Sequence, residues 1–316
     1  MKQVAVYVLV AAALIAGCKK AEQKQDTSSQ TAGSGTVAAK DPWADKAPAK
    51  LGTNPLPHPL FWKIEKDGKT TYALGTIHRG IDAETRLPQV VWDKLDAASA
   101  FAMETDLADP TLAKMLECSN CSLKRDLGPD YYAKLEKALT PRIAAAIEKQ
   151  KIATAATLLE TQFLPDTSPM DLVLFNHAKA KSKPVVYLES ASKDMELLDK
   201  WMNAKAVKSI LDEDDFGEKS IKDLLASYIA GDIDKMHAEY DEEKADALKH
   251  GYTEAEYEEQ MNDMLVSRNA SWIEPIEKMH QTGNGFIAVG ALHLVGPKNV
   301  LELLAAKGYT ITRIEK

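Results

Sequence analysis

The sequence predicts an α/β fold of the α+β type, with a central, mostly parallel β-sheet whose strand ends carry a site. A large helical region is expected to flank and cap this sheet. Two observations predict the arrangement. Four short apolar runs of strand composition lead to a histidine or a glutamate, two in the first third of the chain, one in its middle and one near its end. The long middle of the chain has helical spacing, with prolines near the expected helix starts.

The first 17 residues have the features of an export signal. A lysine stands near the start, an apolar run covers residues 4–16, and small residues precede Cys18. The apolar run is too short for a good transmembrane helix. Small residues directly before a cysteine resemble a bacterial lipobox, which implies a lipoprotein signal peptide over 1–17 and a lipid on the sulfur of Cys18. The alternative is an ordinary signal peptide followed by a chance cysteine.

Lys19 stands where an aspartate would retain a lipoprotein at the inner membrane. The resemblance therefore implies a protein of the bacterial cell envelope that is lipid-anchored to the outer membrane and faces the periplasm. Residues 18–57 are rich in small and polar side chains with little to bury, which is typical of a disordered tether. Residues 58–316 form the predicted folded domain. The net charge of −8 argues against a nucleic-acid partner.

The folded domain is predicted to begin with a β-hairpin. Residues 61–65 alternate apolar and polar side chains, Asp67-Gly68 is a hairpin turn signal, and residues 70–74 are apolar again. The second strand of this hairpin leads to His78. After His78, a helix is predicted over 88–97.

A short buried strand is predicted over 99–103, and it ends at Glu104. The region of about 107–283 is then mostly helical, with Pro129, Pro141 and Pro169 near helix starts. One strand interrupts it at 184–188 and ends at Glu189. The runs of charged residues in this region indicate solvated helix faces or turns.

The last elements follow in quick succession. They are a strand over 285–289, a helix over 297–306 that stops at Gly308, and a final strand over 309–314.

The two remaining cysteines, Cys118 and Cys121, form a Cys-Ser-Asn-Cys motif. Export favours a disulfide between them. A redox-active motif is disfavoured because no strand-then-helix context of the thioredoxin type surrounds it, and a zinc site would need a second pair of cysteines.

A glycine followed three residues later by a histidine occurs twice, in Ala73–His78 and in Ala288–His293. Gly75 and Gly290 indicate a sharp turn or the close approach of another backbone or of a substrate. Parallel strands carry ligand sites at their carboxyl ends, so the two histidines and Glu104 are expected to converge. Two neutral imidazoles and one carboxylate suit a catalytic divalent metal. The alternative is that each histidine is an ordinary loop residue.

The other histidines of the domain lack this context and are interpreted as surface or packing residues: His58, His177, His237, His250 and His280.

Arg268 lies on the apolar stripe of a predicted helix, with Leu265 and Trp272 at helical spacing. A guanidinium on a buried stripe requires an anion. Glu104, Glu189 or the oxyanion of a substrate could supply it. The alternative is an arginine at the rim of the stripe that extends to water.

These residues resemble the TraB/GumN family, which includes the Tiki-type metalloproteases. The matching segments are ALGTIHRG, AFAMETD, PVVYLES, Ser267-Arg268-Asn269-Ala270 and FIAVGALHLVGPKNVLELLAAKGYTITRI. The resemblance implies active-site roles for His78, His293, Glu104 and Arg268. It also implies a divalent metal, with manganese or cobalt favoured and zinc as a further option. The family often has a glutamine five residues after the glutamate of the PVVYLES segment, where this chain has Asp194, and the departure puts a role for Glu189 in doubt.

The sequence and the resemblance together predict a lipid-anchored, metal-dependent hydrolase that cleaves peptide or protein substrates. His78 and His293 would bind the metal, and Glu104 would be a ligand or the general base. Arg268 would hold the oxyanion or a substrate carboxylate. The supporting residues are Gly75, Gly290, Glu189 and Asn269. Two alternatives stay open: a non-catalytic lipoprotein that binds a peptide, haem or metal, and a metal-dependent esterase.

Overall fold

The computed structural model describes residues 54–106 and 118–315, together with Asp109, Leu112 and Met115 from the segment between them. The predicted signal peptide, Cys18 and most of the predicted tether lie outside these residues. Leu56 belongs to the stretch 18–57 that the sequence assigns to the tether. It is buried, and its backbone N–H donates to the carbonyl of Arg86 at 2.8 Å. The packed chain therefore begins before residue 58.

A single six-stranded sheet forms the centre of the fold, in the order β4-β3-β5-β2-β1-β6. Its strands are β1 (Phe61–Lys66), β2 (Lys69–Thr76), β3 (Ala100–Met103), β4 (Val185–Tyr187), β5 (Gly285–Gly290) and β6 (Thr310–Arg313). Strands β4, β3, β5 and β2 pair in parallel, and β1 pairs antiparallel with both β2 and β6. The prediction of a mostly parallel sheet is confirmed.

The β1–β2 hairpin turns at Asp67-Gly68, as the sequence predicts. Both residues have positive φ angles, 51° for Asp67 and 72° for Gly68. Two successive positive φ angles match the right-handed twist of the paired strands, and Asp-Gly is a favoured sequence for that turn.

The two matched motifs lie side by side, because β2 and β5 are neighbours in the middle of the sheet. Their register is offset by one residue from the sequence match: Gly75 pairs with Val289, and Thr76 pairs with Gly290. Successive residues of a strand face opposite sides of the sheet. The two glycines therefore face opposite sides, although they occupy the same place in the motif.

Helices cover the sheet and form most of the segment between β3 and β5. Those before β4 are α1 (Ala83–Arg86), α2 (Gln89–Ala97), α3 (Leu123–Leu127), α4 (Pro129–Leu139), α5 (Pro141–Ala146), α6 (Ile152–Thr161) and α7 (Met170–Ala180). Those after β4 are α8 (Ala191–Trp201), α9 (Ala204–Asp212), α10 (Glu218–Ala230), α11 (Ile233–Lys249), α12 (Glu254–Met261), α13 (Ser267–Thr282), α14 (Leu292–Val295) and α15 (Val300–Ala306). No helix within the described part of the chain is long and apolar enough to cross a membrane.

Local chemistry explains several helix boundaries. Pro129 and Pro141 occupy first-turn positions of α4 and α5, where a missing N–H costs nothing. The helix predicted over 297–306 begins later, at Val300, and this boundary prediction was wrong. Lys298 has a positive φ of 49°, and the Asn299 side chain caps the helix by accepting from the backbone N–H of Glu302 at 2.9 Å.

A π-helix, Asn262–Val266, connects α12 to α13. Such π-helical segments are frequent at functional sites. Arg268 lies on the first turn of α13, directly after it.

Candidate active site

Four polar side chains follow the four parallel strands, at the edge where those strands end. His78 follows β2, Glu104 follows β3, Glu189 follows β4 and His293 follows β5. The backbone N–H of Glu189 donates to the carbonyl of Glu104 at 2.9 Å, so the pairing of β3 with β4 continues into these residues. The expected convergence at one sheet edge is what the structure shows.

His78 is buried, with 4% of its surface exposed. Its Nδ1 lies 2.6 Å from Oδ2 of Asp171, and the hydroxyl of Thr76 donates to the other Asp171 oxygen at 2.8 Å. Burial acts to lower the pKa of His78, but the charge of Asp171 and the hydrogen bond to it prevail and raise that pKa. The 2.6 Å contact with the Asp171 carboxylate places a proton on Nδ1. Nε2 of His78 is buried and has no hydrogen-bond partner among the described residues.

His293 is held in the same manner by a neutral group. Its Nδ1 lies 2.7 Å from Oδ1 of Asn269, and the Asn269 amide nitrogen donates to the carbonyl of Lys298 at 3.1 Å. That second bond fixes which end of the amide faces the imidazole. Burial and the positive charge of Arg268 lower the pKa of His293 well below its usual value. His293 is thus neutral, with its proton on Nδ1 and a lone pair on Nε2.

Glu104 follows β3, which pairs with β5, the strand that leads to His293. Its Oε1 accepts from the backbone N–H of Gly290 at 2.7 Å, and its Oε2 accepts from Nη2 of Arg268 at 2.8 Å. The same Oε2 lies 3.9 Å from Nε2 of His293. Burial raises the pKa of Glu104, and the charge of Arg268 opposes that rise.

Gly290 leaves open the space in which these groups meet. A Cβ atom added there would lie 3.2 Å from Oε1 of Glu104, 3.6 Å from Cδ2 of His293 and 3.6 Å from Nε2 of His78. All three groups therefore surround one point. Gly75 has a different role, because its added Cβ would lie 3.1 Å from the backbone Cα of Ala291. Gly75 allows the chain after β5 to pass close to β2.

Arg268 is completely buried. Its Nε donates to Glu189 at 2.9 Å, and its Nη2 contacts Glu104, Glu189 and, at 3.4 Å, Asp194. Desolvation acts to lower the pKa of Arg268, but the carboxylates, Glu104 foremost, raise it. The expectation that Arg268 meets Glu104 or Glu189 is confirmed, and the alternative of an arginine that extends to water is wrong.

Asp171 and Asp194 belong to the site and were missed as functional residues by sequence reasoning. Asp171 lies on the first turn of α7, 93 residues from His78, and no spacing links the two. Asp194 was noted only as a departure from the family pattern. Burial raises the pKa of Asp194 to about 7, against the opposing charge of Arg268. The sequence did offer one indication for Asp194, since it is a polar residue at the position where the family often has a glutamine.

The remaining histidines lie outside the group formed by His78, His293, Glu104 and Arg268. His280 is buried and bridges Thr71 Oγ1, at 2.9 Å, to the carbonyl of Lys66, at 3.1 Å. His177 lies 2.7 Å from Asp96. The structure also joins Cys118 and Cys121 in a disulfide, close before α3.

The donor set at the sheet edge fits a divalent metal by its chemistry. His78 and His293 each have Nδ1 fixed by a carboxylate or amide oxygen, which is the usual outer contact of a metal-binding imidazole. Nε2 of His78 is buried and has no hydrogen-bond partner among the described residues, so it is available to a ligand. Across the described ranges, however, no three His, Cys, Asp or Glu residues have the spacing of a formed metal site. The guanidinium of Arg268 lies between Glu104 and His293, two of the residues that could bind a metal.

The model of the TraB/PrgY/gumN family matches residues 60–313 of this chain. The curated proteins and the solved structures include no significant match. The family match covers the sheet, the helical segment and all four strand-end residues of the site. The chain therefore belongs to the TraB/PrgY/gumN family.

Proposed function

We propose that this protein is a metal-dependent hydrolase of the bacterial cell envelope and that it cleaves peptide bonds. The observation that carries the proposal is the convergence of His78 Nε2, the His293 ring and the Glu104 carboxylate around one point at Gly290. Three different strands supply these groups, and two of the three residues have a separate polar side chain that holds them in place.

His78, His293 and Glu104 are the residues that would hold the metal. A divalent ion bound there would lower the pKa of a coordinated water and polarise the carbonyl of the substrate. Asp171 keeps the His78 proton on Nδ1, so that Nε2 faces the site. Asn269 does the same for His293.

Glu104 and Arg268 provide the remaining functions that hydrolysis requires. Glu104 would be either a ligand of the metal or the general base that accepts and returns a proton of the coordinated water. The guanidinium of Arg268 is the buried cation of the site, and a developing oxyanion or a substrate carboxylate is the kind of group it would bind. Glu189 and Asp194 orient the guanidinium through contacts with its Nε and Nη2.

We place the enzyme at the outer membrane, facing the periplasm, with the lipid on Cys18 as its anchor. The support for this location is the sequence of residues 1–19, with its export signal and small residues before the cysteine. The disulfide between Cys118 and Cys121 suits an oxidising compartment.

One observation favours a second candidate, a non-catalytic lipoprotein that binds a peptide, haem or metal. The guanidinium of Arg268 contacts Glu104, Glu189 and Asp194 and donates to the carbonyl of Met264 at 3.1 Å, so its donors are engaged within the protein. An arginine whose donors all contact groups of the protein can serve as a structural counter-ion for buried carboxylates, without binding an oxyanion.

Metal analysis of the purified full chain and digestion of a peptide library, with and without Mn²⁺, test the proposal. A panel of simple esters distinguishes a peptidase from an esterase. We expect Mn²⁺-stimulated peptide cleavage by the wild type and by His58→Ala, whose histidine is exposed and belongs to neither motif. His78→Ala should be inactive and folded. Wild-type cleavage rates in His78→Ala would refute the enzyme mechanism, and metal binding without cleavage would favour the second candidate.

A further inference from the structure

One guanidinium lies against two of the three groups that would hold the metal. Nη2 of Arg268 donates to Oε2 of Glu104 at 2.8 Å, and Nη1 lies 3.4 Å from Nε2 of His293. We propose that Arg268 is an internal counter-ion that competes with the divalent cation for Glu104 and His293. Metal binding would then free one edge of the guanidinium to face the substrate. This inference rests on the proposed function.

The competition follows from the charges at one shared carboxylate. Oε1 of Glu104 accepts from the Gly290 N–H, and Oε2 accepts from Nη2 of Arg268. A dication at the same place would stand beside an unmoved guanidinium in a buried setting, where the repulsion between like charges is poorly screened. The two cations therefore weaken one another's binding at Glu104.

Arg268 has other partners that can hold it when it leaves Glu104. Glu189 accepts from both Nε and Nη2, and Asp194 lies 3.4 Å from Nη2. The side chain of Glu189 is only 2% exposed, so its charge stays within the protein. Together these two carboxylates retain the guanidinium, and only the edge towards Glu104 and His293 has to change partners.

The backbone before Arg268 provides a place for such an adjustment. Arg268 follows the π-helix Asn262–Val266, and its Nη1 donates to the carbonyl of Met264 in that segment at 3.1 Å. A π-helical turn is a local departure from regular helix hydrogen bonding and is frequent where a side chain has a functional position. A shift of the Arg268 side chain would therefore change a contact with the π-helix and would leave the regular hydrogen bonds of α13 in place.

Titration of the full chain with Mn²⁺ alone, followed by calorimetry, tests the competition. Arg268→Gln keeps hydrogen-bond donors but removes the charge, and we expect it to bind Mn²⁺ at least about tenfold more tightly than the wild type. Arg125→Gln removes an exposed positive charge elsewhere and should bind like the wild type. Arg268→Lys keeps the charge, but its ammonium cannot bridge Glu189 and Glu104. Its Mn²⁺ affinity should therefore lie between those of the wild type and Arg268→Gln.

Loss of Arg268 leaves buried carboxylates unpaired, so Arg268→Gln should be less stable without metal and regain more thermal stability on adding Mn²⁺ than the wild type does. If Arg268→Gln fails to fold, Arg268→Lys alone decides the question. Equal or weaker Mn²⁺ binding by the folded Arg268 variants, with binding intact in the wild type, would overturn this inference and leave the metal site standing. Absence of Mn²⁺ binding in every protein would instead contradict the proposed function.

Discussion

Nδ1 of His78 lies 2.6 Å from Oδ2 of Asp171, a residue 93 positions away on a different element. Both side chains are buried, and Thr76 donates to the second oxygen of the same carboxylate. This contact sets which nitrogen of His78 carries the proton and leaves Nε2 free for a ligand. It connects the helical segment to the sheet edge at the point where the proposed chemistry occurs.

Asp171→Asn should weaken Mn²⁺ binding by about 10–100-fold, the usual cost of losing such an outer partner. The amide is weaker than the carboxylate as a partner for the imidazole and need not present its oxygen to Nδ1. Calorimetric titration measures the effect, and thermal unfolding checks that the variant is folded. Asp214→Asn, at an exposed position, is the matched control. Unchanged Mn²⁺ affinity in Asp171→Asn would show that this carboxylate does not support a metal ligand.

Asn269 should matter for His293 in the same way. Asn269→Ala removes the acceptor for the Nδ1 proton, so we expect Mn²⁺ affinity to fall by about tenfold. Asn269→Asp keeps an acceptor at that place and should largely preserve binding. The pair separates the loss of the hydrogen bond from a simple loss of packing. Equal weakening in both variants would contradict the assigned role of the Asn269 oxygen.

Gly75 and Gly290 should respond differently to alanine, because they face opposite sides of the sheet. In Gly290→Ala the methyl group lies 3.2 Å from Glu104 Oε1 and occupies the space among the proposed ligands, so Mn²⁺ binding and cleavage should be lost. In Gly75→Ala the methyl meets the backbone of Ala291 at 3.1 Å, and overpacking of this kind costs about 1–3 kcal/mol of stability.

Thermal unfolding and Mn²⁺ titration of the two alanine variants provide the comparison. Gly75→Ala should unfold at a lower temperature but largely keep its Mn²⁺ binding. If Gly290→Ala binds Mn²⁺ as the wild type does, the point above Gly290 is not the metal position.

Glu160 should make the protein less stable as pH rises. It is fully buried on α6, and neither of its carboxyl oxygens has a hydrogen-bond partner among the described residues. Burial, with the nearby charge of Glu243, raises its pKa well above the usual value. The folded state therefore keeps a proton that the unfolded state releases, so the free energy of unfolding falls as pH rises from about 4.5 through the folded pKa.

Glu160→Gln should remove this pH dependence. We expect a higher melting temperature at pH 8, by about 2–4 °C for each kcal/mol of stabilisation, and a smaller gain at pH 5. Glu258→Gln, at an exposed position on α12, should change little at either pH. An equal gain for Glu160→Gln at both values of pH would contradict the assigned burial effect.

Strand-end residues were predictable from the sequence, because a strand has a strong local pattern and parallel strands share one carboxyl edge. His78, Glu104, Glu189 and His293 were found in this way. The burial of Arg268 was predictable from helical spacing with Trp272, since a charge on an apolar stripe needs a partner.

Contacts between distant segments were not predictable from local patterns. Asp171 reaches His78 because α7 packs over the sheet, and nothing in the spacing of the two residues indicates it. The offset of β2 against β5 by one residue was hidden for a similar reason, since the aligned motifs suggested that Gly75 and Gly290 are equivalent. The start of α15 depended on the cap at Asn299, which the prediction from Pro297 onwards did not include.

The central claim is that His78, His293 and Glu104 share one divalent cation. The most direct measurement is a crystal structure of the protein grown with Mn²⁺, with anomalous diffraction recorded to locate the ion. We expect one manganese ion with Nε2 of His78, Nε2 of His293 and the Glu104 carboxylate as ligands, and the Arg268 guanidinium withdrawn from Glu104. A manganese ion bound elsewhere, or a site that stays free of the ion at saturating Mn²⁺, would contradict the claim.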